Sequence, residues 1–352
     1  MKTSFISNIT VQTSMRSTIA EVQAELIKSQ KEVVTGRLAN IGEELGGITS
    51  RSLNLHRDLD MLKNLQNTNS VVDQRMSASQ AALSTMSASA QTGMEAMIAL
   101  SGANDETLLA IAAQTLKDAL DSFTDSANSS MNGEYLFSGI NTDVKPLNDY
   151  FDPAGSPAKA SFDSAFLGFF GFAQSDPLAA NITVTQMDDF LTNVVEPLFD
   201  SAQWNTDWSN ATDTKMSSRI SRNEVVNSST TVNESGARRM ALAAVVGLEL
   251  INSPINRQVR QQMVERTISY FGEAISGLDY ERGQLGLSQA RVKTANESIS
   301  VQLTIVETNI NGMEGVDVYE ASTRMTSLMT QMEISYSLTA RISQLSLVNM
   351  LK

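Results

Sequence analysis

A sustained heptad repeat begins in the stretch Val264-Glu-Arg-Thr-Ile-Ser-Tyr-Phe-Gly-Glu-Ala-Ile-Ser-Gly-Leu278 and continues to Met313. Counted alternately by four and three from Val264, twelve of fifteen positions are apolar, whereas 41% of the whole chain is apolar. This spacing predicts one long helix with an apolar edge, as in a coiled coil. The first seven apolar members of this edge, named the rod seam below, are Val264, Ile268, Phe271, Ile275, Leu278, Leu285 and Val292.

Polar residues interrupt this repeat in three consecutive heptads. They are Arg282, Gln289 and Asn296. Polar residues at seam positions commonly fix the partner and the register of a coiled coil, so we predict that role here.

A matching repeat lies nearer the N-terminus. It includes Leu62, Asn69, Met76 and Leu83, and it continues to Met97. The segment Ser101-Gly-Ala-Asn104 should break this helix, with Asn104 as the cap of the next one. The dipeptide Asn132-Gly133 then predicts a turn, followed by a short strand over 134–139.

The middle of the chain differs from both arms. All six Pro residues lie between Pro146 and Pro254, together with both Trp residues. Because Pro costs about 3 kcal/mol inside a helix, its absence elsewhere permits very long helices. We therefore predict a domain inserted at 141–254, of mixed α+β or β-rich type, between rod segments 46–140 and 255–315.

The two chain ends, 1–45 and 316–352, form a third class of segment. Each has zero net charge, whereas residues 140–254 carry a net charge of −7. A flexible joint is predicted near the end of the N-terminal segment, at Gly36, Gly42, Gly46 and Gly47. Before the C-terminal segment, Asn311-Gly312 and Gly315 should interrupt the rod. We expect the terminal helices to pair, as a mainly α fold with a long antiparallel bundle. The predicted assembly residues are Met15, Ile19, Val22, Leu26, Leu328, Met332, Leu338, Ile342 and Leu345.

Composition and motifs exclude several classes of function. The 352-residue chain has a net charge of −13, which argues against a nucleic-acid partner. It has no Cys and a single His, His56, so disulfides, thiolate metal sites and multi-histidine sites are excluded within one chain. No apolar run reaches the roughly 18–20 residues that span a bilayer, and no secretory signal is evident at the N-terminus. We expect no catalytic, metal or cofactor site; His56 is predicted to lie at the surface or seam edge, and Asp188-Asp189 on a solvated face.

Three segments have a sequence typical of a known family: Met131-Asn-Gly-Glu-Tyr-Leu-Phe-Ser-Gly139, Gln289-Ala-Arg-Val292 and the tail from Tyr319 to Leu351. They resemble the flagellin-like axial proteins of bacterial flagella. The first segment is most similar to the hook–filament junction branch of that family. Filament flagellins usually have an Arg-Leu-Ser-Ser-Gly stretch and then an Asp-Asp-rich one, from which Val34-Thr-Gly-Arg-Leu38 and its sequel depart.

The resemblance implies a structural role without catalysis. It implies terminal helices paired in a tube core, a rod domain with a small β-hairpin, and an outer domain. The implied partners are further copies of the chain, hook-associated protein 1, the flagellin filament, and a cytosolic export chaperone with the flagellar type III export apparatus. Filament flagellin stays open as an alternative, and so does an enzyme domain at 141–254 on a coiled-coil stalk.

Overall fold

The computed structural model describes residues 8–101 and 105–350, and their side chains apart from those of residues 8, 9, 12 and 343–350. The described strands are β1 (Ser130–Met131), β2 (Glu134–Tyr135), β3 (Ser217–Arg219) and β4 (Val225–Asn227). The described α-helices are α1 (Asn8–Thr35), α2 (Ile41–Leu45), α3 (Thr49–Leu100), α4 (Glu106–Ala127), α5 (Pro157–Phe170), α6 (Val184–Phe190), α7 (Glu196–Leu198), α8 (Ser201–Asp207), α9 (Ser235–Ile251), α10 (Arg257–Glu314) and α11 (Val318–Met350).

The chain divides into two compact units. One comprises residues 1–64 and 298–352, and the other comprises residues 65–297. Helices are the main element of both, which confirms the prediction of a mainly α fold with a small hairpin. The finer division into terminal, rod and inserted domains stays a prediction.

The larger unit is built on α3 and α10, which run antiparallel. Asn69 Nδ2 donates to Asn296 Oδ1 at 2.8 Å, and Gln80 Nε2 donates to the carbonyl of Arg282 at 2.8 Å. Further along, the position of Gly93 faces the ring of Phe271. Each step forward on α3 therefore meets a step backward on α10, as in an antiparallel coiled coil. At 1.5 Å per residue, the 58 residues of α10 extend about 87 Å.

Helix α9 forms the centre of the larger unit. Its residues from Met240 to Gly247 are all buried, because Ala, Val and Leu surround the whole helix rather than one stripe. It packs on α4, and the position of Gly247 meets Leu116 of α4. Gly236 and Gly277 allow the backbones of α9 and α10 to touch: a Cβ at Gly277 would lie 2.6 Å from Gly236 Cα.

Residues 141–227 combine helices with one two-stranded ribbon. Strands β3 and β4 pair antiparallel, with Ser218 opposite Val226. Edge-to-face contacts join the buried rings of Phe162, Phe166 and Phe190, and Trp204 stacks on Trp208 at 5.4 Å. The six prolines fall in and around this part, where short helices and loops need chain breaks.

Several predicted boundaries need correction. Asn311-Gly312 does not interrupt the rod, because α10 continues through both residues to Glu314. The cap of α4 is Asp105, whose carboxylate accepts the backbone N–H of Thr107, whereas Asn104 lies outside the described residues. The strand predicted over 134–139 is limited to β2, which pairs with β1 around the turn Asn132-Gly133. Both turn residues have positive φ, 55° and 85°, as a tight hairpin requires.

The contact between α9 and α10 gives a first test. Gly277→Ala should lower stability by about 1–3 kcal/mol, because the added methyl meets backbone atoms of Gly236 that cannot move aside. Gly283→Ala on the same helix is the matched control, since no neighbouring side chain or helix of the described residues lies within 4 Å of its added methyl. The control should be neutral or raise stability by up to about 1 kcal/mol. Thermal melting of both variants measures the difference, and equal melting temperatures would contradict this packing.

The rod seam gives a second test. Leu278→Asp places a carboxylate at a position that is 2% exposed, so we expect a loss of about 3–5 kcal/mol. Leu287→Asp, nine residues further on, changes a side chain that is 63% exposed and should cost less than about 0.5 kcal/mol. Denaturant unfolding of both variants is the measurement. A small effect of Leu278→Asp would show that the seam has another register.

Candidate functional site: the paired terminal helices

Helices α1 and α11 pack against each other in antiparallel orientation within the smaller unit. The Ser29 hydroxyl donates to the carbonyl of Ala321 at 2.9 Å, and Gln23 Nε2 donates to the Tyr336 hydroxyl at 2.6 Å. Val22, Ser29 and Ala321 are buried between the helices. The prediction that the terminal helices pair therefore agrees with this structure.

Most of the predicted assembly residues are at least half-buried in this unit. Val22 is buried, and Leu338 is 46% exposed. The side chain of Leu345 lies outside the described residues. The remaining predicted residues are half-buried: Met15, Ile19, Leu26, Leu328, Met332 and Ile342. These side chains are thus largely engaged within one chain, and their role between subunits stays a prediction.

A second set of apolar side chains on the same helices is exposed. On α1, Ile27 and Val34 are 67% and 79% exposed and lie seven residues apart, so they share one face. On α11 the exposed apolar residues include Met329, Ile334 and Tyr336. Sequence reasoning missed this set because it followed one heptad edge per helix. The signal was present, since both helices carry more apolar positions than one edge can hold.

The rod seam lies in the core formed by α10 and its neighbours. Ile268 and Ile275 are half-buried. The other five members are buried: Val264, Phe271, Leu278, Leu285 and Val292.

The three polar residues that interrupt the seam all bond to α3. Asn296 accepts from Asn69, which is fully buried and also donates to the carbonyl of Ile220 at 2.9 Å. Gln289 donates to Ser77 at 2.9 Å, and the Arg282 carbonyl accepts from Gln80. The side-chain contacts of Asn296 and Gln289 support the predicted role in register, whereas the side chain of Arg282 pairs with Asp279 on its own helix at 2.9 Å.

Backbone hydrogen bonds join the segment that follows α1 to the segment that precedes α11. The N–H of Leu38 donates to the carbonyl of Glu314 at 2.8 Å, and the N–H of Val316 donates to the carbonyl of Gly36 at 3.1 Å. Gly36 has φ +66°, a conformation that glycine adopts readily. We name residues 36–38 and 314–316 the joint. At this point, hydrogen bonds thus connect the glycine-rich segment expected from the sequence to the segment between α10 and α11.

The carboxylate of Glu314 lies at the centre of the joint. It is fully buried and accepts hydrogen bonds from the Ser52 hydroxyl and from His56 Nε2, the latter at 2.8 Å. Arg37 Nη1 lies 3.6 Å from Oε2. Burial favours the neutral acid, but the bonds from Ser52 and His56 and the charges of His56 and Arg37 outweigh it, so the pKa of Glu314 lies below its ordinary value. His56 is half-buried, near the seam edge where the sequence predicts it.

The basic side chains that line a groove of the larger unit are paired with acidic ones. A groove of about 630 Å³ beside α10 contains Lys215 and Arg291, which pair with Glu281 at 2.9 Å and Glu224 at 2.8 Å. Asp188 and Asp189 are exposed on α6, as the sequence predicts. Within residues 8–101 and 105–350, no group of three or more His, Cys, Asp or Glu side chains is placed to hold a metal ion. In the same part of the chain, no helix is long and apolar enough to cross a membrane.

A second ion-pair cluster holds Tyr150 in its neutral form. Its hydroxyl donates to Glu249 Oε1 at 2.8 Å, and Lys159 Nζ lies 2.8 Å from the same oxygen. Burial first, and then the negative charge of Glu249, raise the pKa of Tyr150 well above its ordinary value. A tyrosine in this state donates a hydrogen bond, which joins Tyr150 to α9 through Glu249.

Comparison with known proteins identifies the family. Residues 6–142 match the bacterial flagellin N-terminal helical region, and residues 268–351 match the bacterial flagellin C-terminal helical region. Together these regions cover more than half of the chain, which belongs to the flagellin-like family of axial proteins. The comparison with curated protein sequences found no match.

A solved structure has a similar fold. It is assigned to a flagellar hook-associated protein from Vibrio parahaemolyticus, with 12% sequence identity and a TM-score of 0.53. The similarity covers 76% of this chain and 97% of the other. The family matches, and not this likeness of fold, make the chain a structural protein of the bacterial flagellum, in a family whose members self-assemble.

The exposed apolar set predicts a separation of stability from assembly. Ile334→Asp should change the melting of the isolated chain by less than about 0.5 kcal/mol, because the side chain is 62% exposed. It should prevent self-assembly, since a charge would enter an apolar contact between subunits. Ala340→Asp introduces the same charge at an exposed position about 120° further around α11 and should assemble normally. Sedimentation of assembled material measures this, and normal assembly of Ile334→Asp would rule out this face.

Proposed function

We propose that the chain is the hook–filament junction protein, hook-associated protein 3, located where the hook of a flagellum meets the filament. The observation that carries the proposal is the segment Met131–Gly139, which resembles the junction branch and includes the hairpin of β1 and β2. The departure of Val34–Leu38 and the residues after it from the filament pattern supports the same assignment.

The proposed partners follow from this position. Copies of the chain contact one another through α1 and α11, hook-associated protein 1 lies on the hook side, and flagellin lies on the filament side. Before secretion through the flagellar type III export apparatus, a cytosolic chaperone holds the C-terminal segment. The role is architectural and needs no catalysis. The ion-paired charges of the groove beside α10 support this reading over that of a stalked enzyme.

Electron microscopy of cells that lack the gene tests the proposal. We expect hooks without filaments, with unpolymerised flagellin shed into the medium. Full filaments on these cells would contradict a junction role. Hooks without filaments and without any flagellin in the medium would instead show that the chain is the filament flagellin.

Deletion of the last helix tests the division of labour in the chain. A chain that ends after Gly315 keeps residues 65–297 complete, so the melting of this unit should be nearly unchanged. It lacks α11 and should not restore motility to cells without the gene. Circular dichroism and a swimming assay measure the two effects, with the full-length gene as the control. Restored swimming would exclude an assembly role for α11.

A further inference from the structure

Glu314 departs from a local rule of helix structure and is also a buried charge. It is the last residue of α10, where the helix dipole disfavours negative charge, and no basic residue lies in the last turn. Its side chain is 0% exposed, although a buried carboxylate is costly unless it is paired. Departures from local rules of this kind concentrate at sites with a function.

The contacts of Glu314 join three separate segments of the smaller unit. Its side chain accepts hydrogen bonds from Ser52 and His56, both on α3. No described residue donates a hydrogen bond to its other oxygen, Oε2, which faces Arg37 between α1 and α2. Its backbone carbonyl accepts from Leu38 in the same linker. One residue therefore connects the end of α10 to α3 and to the segment that follows α1.

This connection lies beside the start of the terminal pair. Val316, two residues beyond Glu314, donates to the carbonyl of Gly36, and α11 begins at Val318. On the other strand, Gly36 directly follows α1. The chain thus passes through one side of the joint on its way from α1 to α2 and α3, and through the other side on its way from α10 to α11.

We infer that Glu314 is a positioning residue that fixes the joint, and through it the orientation of α1 and α11 for assembly. The ionised carboxylate attracts donors from α3 and from the linker to one point. Without its charge, Arg37 and His56 have no anion between them, and the hydrogen bonds of Leu38 and Val316 open more often. The part of this inference that concerns assembly rests on the proposed function; the part that concerns the joint does not.

Amide hydrogen exchange of the full chain tests the inference with E314Q, which keeps the shape of the side chain and removes the charge. Exchange at Leu38 and Val316 should accelerate about tenfold or more, while amides of α3 between residues 65 and 97 keep wild-type rates. The matched control is E307Q on the same helix as Glu314. It removes the charge of an exposed side chain that pairs with Lys63 of α3. Wild-type exchange at Leu38 and Val316 in E314Q would overturn the inference.

A pH series separates charge from shape. The groups whose charges act on the carboxylate are His56 on α3 and Arg37 in the linker. Because folding lowers the pKa of Glu314, its ionised form contributes stability above the ordinary carboxyl pKa, and this is lost as the pH falls through the lowered pKa. Protection factors at Leu38 and Val316 in wild type and E314Q should therefore converge in acid. A difference that persists at all pH values would overturn a role for the charge.

Assembly is the last readout. E314Q should fail to restore filaments in cells without the gene, and E307Q should restore them. Faster exchange at the joint together with normal filaments would overturn the positioning role in assembly and leave the proposed function intact. If E314Q lowered the melting of the whole chain, H56A would be the second variant, since it removes one donor and keeps the carboxylate. Unchanged exchange in H56A would then contradict the inference.

Discussion

The antiparallel packing of α3 on α10 is the constraint on which the other features depend. The two helices come from opposite ends of the chain, so their pairing brings residues near 65–100 and 260–297 into one core. Hydrophobic seams supply most of the attraction, but a repeating seam can slip by a heptad at little cost. The register must therefore be set by residues that tolerate one alignment only.

Polar residues inside the bundle meet this need. Asn69 is fully buried and donates to both Asn296 and the carbonyl of Ile220, so a slipped register would leave its amide without partners. Glu314 is the corresponding buried polar group of the smaller unit, where Ser52 and His56 donate hydrogen bonds to its carboxylate. Such groups contribute less to stability than apolar residues would, and they specify one arrangement. In a protein that is copied many times in an assembly, a single arrangement matters more than maximal stability.

The sequence predicts the long helices well because their signals are local and repeated. The seam from Val264 to Met313 and the absence of Pro locate α10 almost to the residue. The burial of α9 and the contact of Gly236 with Gly277 could not be predicted, because an apolar helix contains no information about its neighbours. The pairing of the ends was expected, but the exposed apolar side chains such as Ile27 and Ile334 were not. The role of His56 was also hidden, since its partner Glu314 is 258 residues away in sequence.

Chemical crosslinking measures the central constraint directly, since the natural chain has no Cys. Cysteines at Ser87 and Asp279, whose side chains approach to 3.5 Å, should be joined efficiently by a short bis-maleimide within one chain. Cysteines at Ser87 and Glu265 form the control pair, because a shift of two heptads moves the second site about 21 Å along α10. The account predicts crosslinking of the first pair and not of the second. Crosslinking of the second pair alone would show that α3 and α10 pack in another register.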